Sequence, residues 1–142
     1  MPYCTLDQLT DRYSHALLVE ISDRADAPTG TIDADMIDRA ISDADALIDG
    51  YLARRYALPL ASTPRLVTDL SLRISIYYAH GRVAAEKITK DYEAAMKTLR
   101  DISNGLIQLD IDGAEPAASG ASEVRTNEPE RPFSAQSMKG FI

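Results

Sequence analysis

Apolar residues recur at helical spacing along most of the chain up to Asn104, and beyond it the pattern changes character. Leu6, Leu9 and Tyr13 fall at i, i+3 and i+7 behind Thr5-Leu6-Asp7-Gln8. That order suits a capping box, with the Thr5 hydroxyl accepting from the Gln8 N–H while the Gln8 side chain reaches back. A short helix is expected there, and a second over the apolar run His15 to Ile21. Asp23 to Asp33 carries Pro28 and Gly30 and reads as a loop. Asp33 then caps a long helix to about Arg55, with Ile37, Ile41, Ala44, Ile48 and Tyr51 in one stripe. Its opposite face holds Asp35, Asp38, Asp43, Asp45 and Asp49 against Arg39 and Arg54. Gly50 late in this helix costs about 1 kcal/mol relative to Ala, which predicts a close backbone approach.

Pro59 ends that element, and Leu58-Pro59-Leu60 forms an extended apolar connector. Thr63-Pro64 predicts a helix start with Thr63 as N-cap and Pro64 at the first helical position. Leu66, Leu70, Ile74 and Tyr77 share a face to about His80-Gly81. A last helix is expected from about Thr89 to Asn104, with Tyr92, Ala95, Met96, Leu99 and Ile102 inward and Asn104-Gly105 as its stop. From Leu106 to Ile111, Leu106, Gln108 and Asp110 alternate with the apolar Ile107, Leu109 and Ile111, a pattern that suits a short strand. The fold class expected is all-α: a small helical bundle with short connections and an extended C-terminal arm. Its core should hold Ile41, Ile48, Leu70, Ile74, Met96 and Leu99.

The chain divides by composition. Residues 1–112 are the helical domain. Residues 113–132 are Ala, Ser, Gly, Pro and charge, too poor in apolar surface to offset backbone entropy, and read as a flexible tether. Residues 133–142 hold both phenylalanines of the protein, with Met138 and Ile142, and read as a docking arm. Arg131, Phe133, Met138, Lys139, Phe141 and Ile142 are its expected interface residues.

Composition narrows the function classes. Formal net charge is −7, which argues against a face that grips nucleic acid by neutralising phosphates. An acidic surface does suit a passage through which DNA slides without sticking. Cys4 is the lone cysteine, so neither a disulfide framework nor a cysteine metal site is available. The opening Met-Pro-Tyr-Cys-Thr lacks the basic and apolar regions of a signal peptide, and no stretch approaches a membrane span. Folding in a reducing cytoplasm is expected, with no membrane partner.

Candidate chemistry is thin. His15 and His80 are the only histidines, without a Ser/Asp or Cys pattern around either. Cys4 stands just before a helix whose dipole would lower a thiol pKa, but no base is near it in sequence. The loop from Asp23 has Ala at the third and fifth positions of a calcium loop and Pro where Gly is required, so it reads as an Asx-rich turn. Asp43, Asp45 and Asp49 lack a histidine partner for acid–base work. Asp38, Asp45 and Asp49 remain as a candidate channel- or partner-facing acidic surface. No catalytic residue, metal or cofactor is expected.

Four blocks carry a resemblance. They are Tyr3-Cys4-Thr5-Leu6-Asp7-Gln8-Leu9 with Arg12-Tyr13; Asp43 through Leu60, most specifically from Asp49; Asp91-Tyr92-Glu93-Ala94-Ala95-Met96-Lys97 running to Gly105; and Met138-Lys139-Gly140-Phe141. Together they resemble the small virion proteins of Mu-like bacteriophages and prophages, read as head–tail connectors. The loop Asp23 to Asp33 departs from that pattern in its length and in Pro28. The resemblance implies a helical adaptor-like fold with no catalytic residues to carry over. It implies a ring of copies, commonly twelvefold, beneath the portal protein of a tailed phage head. Such a ring extends the channel for double-stranded DNA, without binding it specifically, and offers a docking surface to a tail terminator or stopper protein. The location implied is the neck of the virion, after synthesis in the host cytoplasm. A reading from another class is a small cytoplasmic regulatory or assembly-chaperone binding module, monomeric until it meets one partner.

Overall fold

Caps and stripes set the helices of this chain, whose computed structural model describes residues 2–81 and 84–111. Among the described residues there are five helices: α1 (Leu6–Tyr13), α2 (His15–Ser22), α3 (Ala34–Leu52), α4 (Arg65–Ala79) and α5 (Glu86–Ser103). No strand occurs among them. The protein is an all-α bundle in which α3, α4 and α5 pack on one another and α1 and α2 close one end. No helix among the described residues is long and apolar enough to cross a membrane.

The Thr5 capping box is formed in both directions, with the Gln8 N–H donating to the Thr5 hydroxyl and the Thr5 N–H to Gln8 Oε1. Ser14 breaks α1 from α2 at φ 86° and ψ 147°. Its N–H donates to Thr10 O and its hydroxyl accepts from the Leu17 N–H, so one residue ends a helix and caps the next. At the end of α2 the Ser22 hydroxyl donates to Leu18 O at 2.6 Å and accepts from the Asp33 N–H at 3.0 Å. That bond fixes the entry to α3, which Asp33 caps as expected.

Two buried clusters fill the bundle. One joins Ala44, Ile48 and Leu52 of α3 to Leu70 and Ile74 of α4 and to Ala95, Leu99 and Ile102 of α5. The other joins Leu9 and Leu18 to Ile37, Ile41, Leu72 and Ile76. The expected core residues are buried except Met96, which packs half-buried at the edge while Ala95 takes the central place. Tyr77 stacks on Tyr92 with ring centroids 3.9 Å apart, adding an aromatic clamp between α4 and α5. Beside them the Tyr78 phenol is pushed up to about 12, chiefly by burial and then by Tyr92.

Several boundaries differ from the sequence reading. Pro64, not Thr63, is the N-cap of α4: its ψ of 153° keeps it extended, and its carbonyl accepts from both Val67 and Thr68. Helix α3 stops at Leu52, and the chain to Tyr56 goes on as turns bonded to Leu52 O. Helix α5 starts a turn before Thr89, at Glu86, without a side-chain cap to mark it in the sequence. The segment from Leu106 to Ile111 is not a strand, although its alternation is real. Leu109 and Ile111 are buried on the bundle while Leu106 is 76% exposed, and the Leu109 N–H donates to the Tyr56 hydroxyl instead of to a strand partner.

The glycines separate clearly. Asn104-Gly105 closes α5 with a Schellman motif: Gly105 at φ 85° donates to Ile102 O while the Leu106 N–H donates to Asp101 O. A Cβ there would also press on the Arg55 guanidinium. At Gly50 the expected close approach is absent, since a Cβ would meet nothing within 4 Å. Gly50→Ala is therefore expected to stabilise by about 0.5–1 kcal/mol, and Gly105→Ala to destabilise by about 1–2 kcal/mol. Parallel urea melts of the two variants check the opposite signs.

Candidate functional site

The N-terminal segment ahead of α1 is strapped across α3 and α4 by polar groups. The Tyr3 N–H donates to Asp45 Oδ2 at 2.9 Å, and the Tyr3 hydroxyl makes a short hydrogen bond to Asp49 Oδ1. Ser71 Oγ, buried on α4, lies 2.7 Å from Asp45 Oδ1 and 3.2 Å from Cys4 Sγ. A hydroxyl has one proton, and an ionised carboxylate only accepts. The Ser71 proton therefore goes to Asp45, and the Cys4 thiol donates to Ser71 Oγ. Ser75 Oγ is 3.8 Å from the same sulfur. A continuous polar chain thus runs from Cys4 through Ser71 and Asp45 to the Tyr3 backbone.

Burial is the leading cause of each pKa shift here. The Tyr3 phenol is pushed well above its ordinary value by burial, then by its bond to Asp49 and the Asp49 and Asp45 charges. Burial raises the Cys4 thiol, and the serine hydroxyls only partly oppose it. Cys4 is 1% exposed, so the helix-dipole effect that would make it nucleophilic is overridden. Burial also raises Asp45, against the lowering bonds from Ser71 and the Tyr3 N–H.

The three acids singled out in the sequence line one groove of about 660 Å³, whose apolar surface includes Pro2, Leu6, Ile41 and Ala46. They are not equivalent. Asp38 is exposed, while Asp45 and Asp49 are half-buried and bonded to the N-terminal segment. Two of the five carboxylates assigned to the solvated face of α3 therefore hold the strap. Sequence reasoning missed it because Tyr3 is 42 residues from Asp45 and 46 from Asp49. The available signal was an Asp pair at i, i+4 flanking the apolar stripe.

Asp45→Ala should cost about 1–3 kcal/mol, because the Ser71 hydroxyl and the Tyr3 N–H lose their acceptor. Asp45→Asn keeps an acceptor and should cost less. The sign of the pH effect follows from the raised pKa. An acid whose pKa is higher in the folded chain binds protons more tightly there, so stability rises as pH falls from the folded value toward the ordinary carboxylate value. Denaturant melts across pH 4–7 should show this slope in the wild type and lose that component in Asp45→Asn.

The remaining candidate groups are placed as follows. His80 Nδ1 lies 2.7 Å from Ile76 O, so it carries the proton and donates to the end of α4. Arg24 Nη2 donates to Ala79 O at 2.7 Å and its Nε to Ile21 O, tying α2 to the same helix end. Glu20, Arg24 and His80 line a second groove. His15 opens α2 and is exposed, and it does not line that groove with His80. Asp23 accepts from the N–H groups of Thr29 and Gly30 and from the Thr29 hydroxyl, the expected Asx-rich turn. Those backbone bonds, Gly30 first, hold its carboxyl below the usual range. Among the described residues no group of three or more His, Cys, Asp or Glu is arranged to hold a metal ion. Arg131, Phe133, Met138, Lys139, Phe141 and Ile142 lie outside the described residues, as does the tether 113–132.

The profile of the family described as Bacteriophage Mu, Gp36 matches residues 3–128. "Gene product J" of Escherichia phage Mu is 28% identical over 142 residues, covering all of both chains. "Mu-like prophage FluMu protein gp36" of Haemophilus influenzae is 25% identical over 140 residues, covering 99% of this chain and 98% of the relative.

Proposed function

The chain belongs to the Bacteriophage Mu, Gp36 family, and on that premise we propose that it is a structural virion protein, one subunit of a head–tail connector ring beneath the portal of a tailed phage. The ring extends the DNA channel and presents a docking surface to a tail terminator or stopper protein. End-to-end similarity to Mu and Mu-like prophage products carries the reading.

Two features of the chain support it. Several side chains with chemical potential are engaged in structural bonds: Cys4 and Asp45 in the strap, His80 and Arg24 at the end of α4, Asp23 within its loop. The net charge of −7 suits a wall past which DNA moves without adhering. A ring needs a heterologous interface, one patch meeting a different patch on the neighbour, and a C-terminal arm reaching to the next copy provides one.

Cryo-electron microscopy of native particles, with mass measurement of the chain bound to the portal, tests this. The expected result is a multi-copy ring, commonly twelvefold, at the neck. Absence of the chain from purified virions, or one copy per assembly partner, would favour a monomeric binding module instead.

A further inference from the structure

The groove between the N-terminal strap and α3 has a chemistry that one segment of this chain fits. Its apolar surface includes Leu6 and Ile41, and Asp38, Asp45 and Asp49 line it with no cationic side chain among its lining residues. The last twelve residues, Arg131 to Ile142, carry Arg131 and Lys139 with no Asp or Glu, in a chain whose overall charge is −7. They also hold Phe133, Met138, Phe141 and Ile142, large apolar groups spaced among small polar ones. We propose that this groove receives the C-terminal segment 131–142 of a second copy of the chain, an inference that rests on the ring reading above.

Charge and reach support this occupant. Arg131 and Lys139 bracket the apolar residues Phe133 and Met138, so a segment seated on the apolar surface places a cation near the carboxylate rim. Asp38 is exposed and remains open to an incoming cation, whereas Asp45 and Asp49 also serve the strap. The described chain ends at Ile111, buried in the cluster against which Tyr3 also packs. A chain of the length that separates Ile111 from Arg131 would reach roughly 25 Å if flexible and up to about 70 Å if extended, enough to meet a neighbour. Repeated around a closed ring, such an exchange joins two different patches of each subunit.

Disulfide trapping in the full-length chain tests it. Ala46→Cys marks the groove and Ser137→Cys marks the segment, each in a separate preparation, with Cys4 buried and its thiol pushed up. Oxidation of the mixed chains is expected to give the cross-linked heterodimer at least about tenfold faster than with Glu93→Cys on α5 as acceptor. Asp38→Lys in the acceptor, or raised salt, should remove most of that advantage. Equal rates at Ala46→Cys and Glu93→Cys overturn the proposal. So does a doubly substituted chain that closes only within itself. If the native particle holds a ring but the groove does not trap, the connector reading stands and this inference fails. If the groove traps a second chain but no ring exists in particles, the connector reading fails alone.

Discussion

Leu99→Ala is expected to destabilise the bundle by about 2–5 kcal/mol, among the largest stability effects of any single truncation in α5. Leu99 is fully buried where α5 meets both α3 and α4, in the cluster with Ile48, Leu70, Ile74 and Ile102. Removing its three outer carbons loses their transfer energy and leaves a cavity that three helices cannot close together without moving their backbones. Ile48→Ala should fall in the same range, because Ile48 is fully buried on the α3 side of that cluster. Met96→Ala gives the internal contrast: Met96 is half-buried and packs at the cluster edge, so its loss should be clearly smaller. Urea melts with unchanged m-values measure all three. A change below about 0.5 kcal/mol at Leu99 would mean that α5 packs through a different face.

Helical spacing made most of this core legible. Ile37, Ile41, Ala44 and Ile48 are buried because residues at i, i+3 and i+4 share one helix face whatever lies opposite. Local caps were equally readable: Thr5 with Gln8, Asp33, and Gly105 each satisfy bonds within a few residues of themselves. The start of α5 was not readable, because Ala85 offers no capping side chain. The alternation after Leu106 predicted a strand because one-sided burial of an extended chain has the same period as a sheet. What the pattern lacks is the identity of the partner, here the Tyr56 hydroxyl.

The candidate site was less legible than the fold for a related reason. Asp38, Asp45 and Asp49 look alike in sequence, yet Asp45 and Asp49 are bound to a segment more than forty residues away. Hydrogen-bond partners across such separations leave no periodic trace. The strap also changes what Cys4 is: burial between Ser71 and Ser75, not the nearby helix end, governs its thiol. Family membership adds the context that the side chains alone do not give.

On the proposed connector reading, a chain ending at Pro132 is expected to keep its folded domain and lose attachment to the ring or portal, leaving heads without tails. The removed residues hold both phenylalanines together with Met138 and Ile142. Each aromatic buried at an interface contributes a few kcal/mol, and a hot spot upwards of 2. Ordering the segment costs about 1–2 kcal/mol per residue before contacts offset it. One arm on one site is therefore a near balance, whereas many arms on a closed ring act together and the loss of all of them is decisive. The family profile matches only as far as residue 128, but both phage relatives align essentially throughout, so the terminal segment is carried by the whole-chain similarity. Thermal melts should leave the truncated domain within about 0.5 kcal/mol of the full chain, because Leu99, Ile48 and their neighbours lie elsewhere. The yield of tailed, infectious particles from a phage carrying the truncation is the deciding measurement. Normal yield would remove the arm as the anchor and place the grip on the helical body, where the exposed Leu106 and the exposed Arg54, in the turn that follows α3, become the next surfaces to alter.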